Sequence, residues 1–100
     1  MYYVYALISL KNKDVYIGFT RDLRRRYKDH LAGLVSATKP NTPWKLVYYE
    51  SFLDKKDATK REKQLKNHKA KIDLKSQIHY SLESGLAEPG LATQGAVAKW

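Results

Sequence analysis

From Tyr2 to Ser9 the chain is aromatic, β-branched or otherwise apolar almost without a break. After the polar stretch Lys11–Asp14 the same character returns in VYIGFT, residues 15–20. Two such runs around a short polar turn predict a β-hairpin. Side chains alternate faces along a strand, so Tyr3 and Tyr5 share one face and Tyr16 lies near Tyr5 across the ladder. The apolar period then lengthens. Thr20 is a candidate N-cap, Asp22 falls in the first turn, and Gly33 is placed to end a helix over about 21–32. Leu23, Tyr27, Leu31 and Leu34 form its apolar stripe, and Arg26 and His30, four residues apart, run along the edge of that stripe.

VSATKPNTP, residues 35–43, combines small polar residues with two prolines and reads as a loop presenting Ser36, Thr38 and Lys39. WKLVYYESF, residues 44–52, is a third strand. A second helix starts at Asp54, with Asp57 in its first turn where the helix dipole favours an acid. Ala58 and Leu65 lie on one face of it, and Glu62 falls between them on that same face. A third helix over about 70–84 would bury Ile72, Ile78 and Leu82. The order is thus β-β-α-β-α-α, an α/β chain of the α+β type. Residues 1–84 are expected to form the domain. Residues 85–100, small and nearly uncharged, are expected to be a loosely held tail in which Leu86, Leu91 and Trp100 are able to dock.

A length of 100 residues with 43% apolar content is enough for one small domain and too little for two. Without cysteine there is no disulfide framework and no thiolate zinc site, as suits a reducing compartment. The first residues lack a basic region and a cleavage site, and their apolar run is too short to span a bilayer, so a soluble cytoplasmic protein with no membrane partner is expected. Lys and Arg outnumber Asp and Glu by 19 to 10, a net charge of +9, which favours a polyanion partner through counterion release. Arg21, Arg24, Arg25 and Lys28 on the first helix and Lys39 in the loop are candidate phosphate contacts. Lys60 and Lys63 join them from the second helix, among Lys55, Lys56 and Lys66, and fewer than half of all these are expected to touch phosphate. The alternative is a basic surface that serves only solubility.

Arg26, His30 and Glu62 occupy inward or boundary positions and need partners, because an unpaired buried charge is costly. One reading is structural: Arg26 pairs with Glu62, and His30 donates to a backbone carbonyl. The other is chemical. Eight tyrosines against two phenylalanines line the interior with hydroxyls, and Tyr5 and Tyr16 point at the sheet face that the helices cover. Together with Arg, His and Glu they supply the parts for phosphodiester hydrolysis.

YVY at Tyr3–Tyr5, YIG at Tyr16–Gly18, FTRDLRRRYKDH after it and DATKREKQLK further on resemble the GIY-YIG nuclease domain, in particular its small single-domain bacterial members, over roughly residues 2–75. The resemblance implies a three-stranded antiparallel sheet flanked by helices. It implies that Tyr5 and Tyr16 hold or activate the attacking water, that Arg26 binds phosphate, that His30 takes part in proton transfer, and that Glu62 is the single carboxylate holding a divalent cation, Mg²⁺ or Mn²⁺. Gly18 would allow close backbone approach. Two positions depart from the pattern: Tyr3 replaces the glycine of the first half-motif, and Phe19 stands where some relatives carry lysine. The family's asparagine after the metal-binding helix has no certain counterpart, Asn67 being a poor match. The function implied is a metal-dependent DNA endonuclease. Trp44 and exposed tyrosines able to stack on bases would favour single-stranded or branched DNA, and the tail is a candidate site for a protein partner that recruits the enzyme. The alternative is a nucleic-acid-binding protein of the same fold that does not cut.

Overall fold

The computed structural model describes residues 1–87. The hairpin forms where the pattern places it, as β1 (Tyr2–Ser9) and β2 (Val15–Thr20), and β3 (Trp44–Phe52) joins the free edge of β1. The sheet is antiparallel with the order β2-β1-β3. Helix α1 (Leu23–Leu31) follows the hairpin, and α2 (Lys55–Lys66), α3 (His68–Gln77) and α4 (His79–Ala87) follow β3. A single 3₁₀ turn, Lys39–Asn41, interrupts the proline loop. This is the expected α+β fold with one helix more than the pattern suggests. Among the described residues no helix is long and apolar enough to cross a membrane.

Each sheet face carries its own core. On one, Val4, Ala6, Ile8, Val15 and Ile17 meet Ala58 and Leu65 of α2 and Leu74 of α3. On the other, Tyr5 and Leu7 meet Leu23 and Tyr27 of α1 and Trp44 of β3. A register shift against β1 between Ala6 and Leu7 gives β3 one extra residue. Without that bulge, even-numbered Trp44 and Leu46 would point away from the face that odd-numbered Tyr49 shares with Tyr5 and Leu7. Beside the first core, Arg61 of α2 donates two hydrogen bonds from Nε and one from Nη2 to the Glu50 carboxylate, and Tyr48 donates a further one. Burial alone would raise the Glu50 pKa, but these donors outweigh it and hold the carboxyl below its ordinary value.

The helix ends differ from expectation where backbone hydrogen bonding outcompetes composition. The N-cap of α1 is Asp22, whose carboxylate accepts from the Arg25 N–H, and not Thr20. Thr20 acts one step earlier, its hydroxyl accepting from the Asp22 N–H. At the other end Gly33 takes φ +72°, and the N–H groups of Gly33 and Leu34 return to the carbonyls of His30 and Asp29, which stops the helix as expected. The buried face of α1 is Leu23, Tyr27 and His30, so Leu31 lies off it and is exposed, and the chain's turn leaves Leu34 exposed as well. The third helix is two. Asn67 caps α3 by accepting from the Lys69 N–H, and Ile78 leaves helical geometry at φ −111°, ψ 26°. Leu74, Ile78 and Leu82, spaced by four, face the sheet; Ile72, two residues before Leu74, therefore points to solvent. Helix α4 continues past the boundary expected at 84. Gly85 is buried against Val47, and Leu86 packs on the first core. Leu91 and Trp100 lie outside the described residues.

Candidate active site

Tyr5 sits opposite Gly18 in the β1–β2 register, and its ring lies across that glycine. A Cβ at Gly18 would overlap the Tyr5 Cζ and hydroxyl and come within 2.8 Å of Cε1. Only glycine leaves room for the ring. Laid flat in this way, Tyr5 is 1% exposed and its hydroxyl meets the Nε2 of His30 at 2.8 Å. Tyr16, half-buried, packs its ring near those of Tyr5, His30 and Trp44, at 6.3, 5.3 and 6.3 Å between centroids.

His30 is itself fully enclosed, and its Nδ1 lies 2.8 Å from the hydroxyl of Thr38. It bonds no backbone carbonyl, contrary to the structural reading. Its pKa falls from 6.5 to about 4, first because burial disfavours the imidazolium and second because Arg26 is positively charged nearby. The ring is therefore neutral at physiological pH. The Tyr5 hydroxyl moves the other way, to about 12, chiefly through burial, with the charges of Tyr16 and Glu62 adding to the rise and Arg26 opposing it as donor and as charge. Arg26 and Glu62 thus both act on the Tyr5 hydroxyl, although α2 packs on the opposite sheet face. They do not pair with each other, since Glu62 forms its ion pair with Lys66, one helical turn on, at 3.2 Å.

Sequence reasoning missed the role of Thr38. It placed this residue on a presented loop, and the structure buries it completely. A single small polar residue in an aperiodic segment carries no signal of its neighbours. Trp44 is likewise withdrawn from solvent, its indole N–H donating to the Thr38 carbonyl at 2.7 Å, so it offers no surface for a base. Asn67 is occupied as a helix cap. The candidate phosphate contacts Arg21, Arg24, Arg25, Lys28, Lys39, Lys60 and Lys63 are all exposed. Arg21 and Arg25 join Arg26 in lining a depression of about 310 Å³ with Thr20, Asp22 and Asp29. Lys63 lines another of about 540 Å³ with Arg61, Gln64, Asn67 and Ala70.

The profile of the GIY-YIG catalytic domain matches residues 1–76. The chain belongs to the GIY-YIG family. Within it the chain resembles the UPF0213 proteins. It is 40% identical over 67 residues to one from Clostridium perfringens, covering 66% of this chain and 71% of that protein. Over 68 residues it is 34% identical to one from Haloquadratum walsbyi, covering 67% and 75%. The solution structure of a UPF0213 protein from Bacillus halodurans superposes with a TM-score of 0.54 at 31% identity, covering 87% of this chain and 98% of that one.

Among the described residues no cluster of three His, Asp or Glu side chains forms a closed metal cage. A lone, half-buried carboxylate is nevertheless a fit for a hard divalent cation of the Mg²⁺ kind, which keeps several waters and takes its remaining oxygens from substrate phosphate. The charge of Glu62 is felt at the Tyr5 hydroxyl, where it adds to the rise of the pKa.

Two expectations follow. Gly18→Ala should drive the Tyr5 ring from its seat, costing about 1–3 kcal/mol in urea unfolding; unchanged stability would mean the ring has another place to go. His30 binds a proton in the unfolded chain below pH 6.5 but in the folded chain only below about 4. Stability should therefore fall as pH drops through that window, by up to about 3 kcal/mol. A His30→Gln variant should lack this component, and identical pH dependence in both proteins would contradict a buried neutral ring.

Proposed function

We propose that this GIY-YIG chain is a metal-dependent endonuclease that hydrolyses phosphodiester bonds in DNA, with Arg26 on the scissile phosphate, Tyr16 at the attacking water and Glu62 holding the cation. A GIY-YIG domain implies a nucleic-acid substrate. The observation that carries the reading is the buried hydrogen bond between Tyr5 and His30, at whose hydroxyl the charges of Arg26 and Glu62 are both felt. That arrangement is far more than a basic surface needs.

The exposures divide the labour between the tyrosines. Tyr5 is enclosed and keeps its proton. Burial strengthens the hold of the phenol on its proton and disfavours its uptake by the imidazole, so transfer from Tyr5 to His30 is opposed at both ends. Tyr5 thus serves as the hydrogen-bonded floor of the site. Tyr16, half-buried beside His30 and less enclosed than Tyr5, is the phenol better placed to reach water. Arg26 is half-buried with its charge only partly screened, and its fork of donors suits two oxygens of one phosphate. A divalent cation on Glu62 supplies charge neutralisation at the phosphate and the leaving 3′ oxygen and eases loss of a proton nearby. Glu62 would exchange its Lys66 partner for that cation. Lys66 is the more exposed of the pair and stays solvated.

Support for an unpaired substrate comes from Tyr3 and Tyr49. Tyr49 stands opposite Tyr5 in the β1–β3 register and is 48% exposed; Tyr3 lies one repeat along β1, with the two rings edge to face at 6.0 Å. These tyrosines take the stacking role expected of Trp44. A base flanking the cut can stack there only when it is free of its own partner strand.

Cleavage of labelled single-stranded, flapped and duplex DNA with Mg²⁺, Mn²⁺ or EDTA tests the reading. Metal-dependent cutting should vanish in Glu62→Ala with DNA binding near that of the unmodified protein, and should fall by orders of magnitude in Arg26→Ala. Tight, salt-sensitive binding without cutting in any metal would instead mark a binding protein on this fold. Tyr49→Ala should slow cutting of flapped or single-stranded DNA about 5-fold or more while sparing duplex, given the ~1–3 kcal/mol of a base–aromatic stack. Equal loss on all substrates would remove Tyr49 from substrate choice.

A further inference from the structure

Thr38 is completely buried, comes from a loop, and meets the site where its hydroxyl lies beside His30 Nδ1. Its backbone is held from both sides independently of its hydroxyl: its N–H donates to the Val35 carbonyl at 3.1 Å, and its carbonyl accepts from the Trp44 indole at 2.7 Å. Trp44 is tied in turn, its carbonyl accepting from the Tyr27 hydroxyl. The loop is therefore pinned without Thr38 Oγ1, which leaves that oxygen to act on the imidazole.

Donor counting assigns a direction to the chain of hydrogen bonds. The buried Tyr5 hydroxyl hydrogen-bonds His30 Nε2, and the positive charge of Arg26 is felt there. A guanidinium only donates, so the Tyr5 proton has one acceptor, Nε2. In a neutral imidazole the other nitrogen then carries the hydrogen, and Nδ1–H donates to Thr38 Oγ1 at 2.8 Å, whose own hydrogen goes to the Val35 carbonyl at 3.3 Å. Every donor finds an acceptor, and the lone pairs of the Tyr5 oxygen face Arg26. The other tautomer reverses this order. Nε2–H would point at the Tyr5 oxygen, and the Tyr5 proton would have to turn towards a cation that is itself a donor.

We propose that Thr38 is a positioning residue: by accepting from Nδ1–H of His30 it fixes the tautomer that turns the Tyr5 lone pairs towards Arg26, and so holds the guanidinium where a scissile phosphate binds. The role of Arg26 on phosphate rests on the nuclease reading above; the tautomer does not.

The test has two arms on the full chain. Long-range ¹H–¹⁵N correlation at neutral pH identifies which imidazole nitrogen of His30 bears hydrogen. The unmodified protein should show Nδ1–H with a bare Nε2, Thr38→Ser should keep that pattern, and Thr38→Val, nearly the same shape without the acceptor, should lose it. An Nε2–H pattern in the unmodified protein overturns the proposal without any variant having to fold. In the cleavage assay Thr38→Val should lower kcat about 10–100-fold with little change in KM, the size usual for partners that orient an active-site histidine. Thr38→Ser should recover most of the loss, and Thr38→Val should add little on top of Arg26→Ala. Full cutting by a folded Thr38→Val protein overturns the proposal and leaves the nuclease reading standing. Absence of cutting by the unmodified protein removes the nuclease reading, while the nitrogen pattern still decides the tautomer.

Discussion

A tyrosine ring laid across a glycine is the contact on which the rest of the site depends. Gly18 has no Cβ, so the Tyr5 ring can lie flat over β2 instead of standing up from the sheet. That pose carries the hydroxyl under α1, where His30 meets it. The inward turn of His30 follows from its place on α1, on the face that also buries Leu23 and Tyr27, while Leu31 one position on faces out. Gly33 at positive φ then ends the helix. A glycine under the ring and the phase of the first helix thus bring a phenol from the first strand and an imidazole from that helix to hydrogen-bonding distance.

The electrostatics follow from this enclosure. Burial lowers the affinity of His30 for a proton and strengthens the hold of Tyr5 on its own, so the pair rests neutral at physiological pH beside the positive charge of Arg26. An imidazolium in that place would repel Arg26 at short range in a poorly screened setting. Neutrality of the floor is what allows a single arginine to stand close to it. A protein of net charge +9 draws a polyanion by its surface as a whole, through residues such as Arg21 and Arg25 beside Arg26. The buried pair adds no charge and gives direction.

Much of this was legible in the sequence because strands and amphipathic helices announce themselves by period. The three strands, the hairpin, the Gly33 stop, the Asp54 start and the buried Ala58 and Leu65 all follow from patterns of two or about 3.6. The misreadings lie where a hydrogen bond outweighs the pattern. Asp22 takes the cap that Thr20 was expected to hold, and the phase of α1 and the turn after it leave Leu31 and Leu34 exposed. The joint at Ile78 divides one expected helix and turns Ile72 outward. In the candidate site, Tyr5, Tyr16, Arg26, His30 and Glu62 stood out because a polar residue on an apolar face is conspicuous. Thr38 did not, since a loop has no period to show which of its residues turns inward.

The two faces of the sheet divide stability from chemistry. The buried centre of the face under α2 and α3 is aliphatic, with Tyr2, Phe19 and Phe52 packed around it and the Arg61–Glu50–Tyr48 network closing its margin. Burial of the aliphatic side chains is worth about 1.5–3 kcal/mol each, and none needs a specific polar partner. The face under α1 is rich in hydroxyls and rings, each of which must find a donor or an acceptor to be tolerated there. That requirement makes the second face a source of geometry as well as of burial. A methyl misplaced on the aliphatic face changes how firmly the chain folds; a hydroxyl removed on the other changes where the remaining donors point. Both faces share β1, whose alternating side chains serve them in turn, Val4 and Ala6 to one and Tyr5 and Leu7 to the other. The strand at the centre of the sheet therefore couples an interior that only has to be full to a site that also has to be oriented.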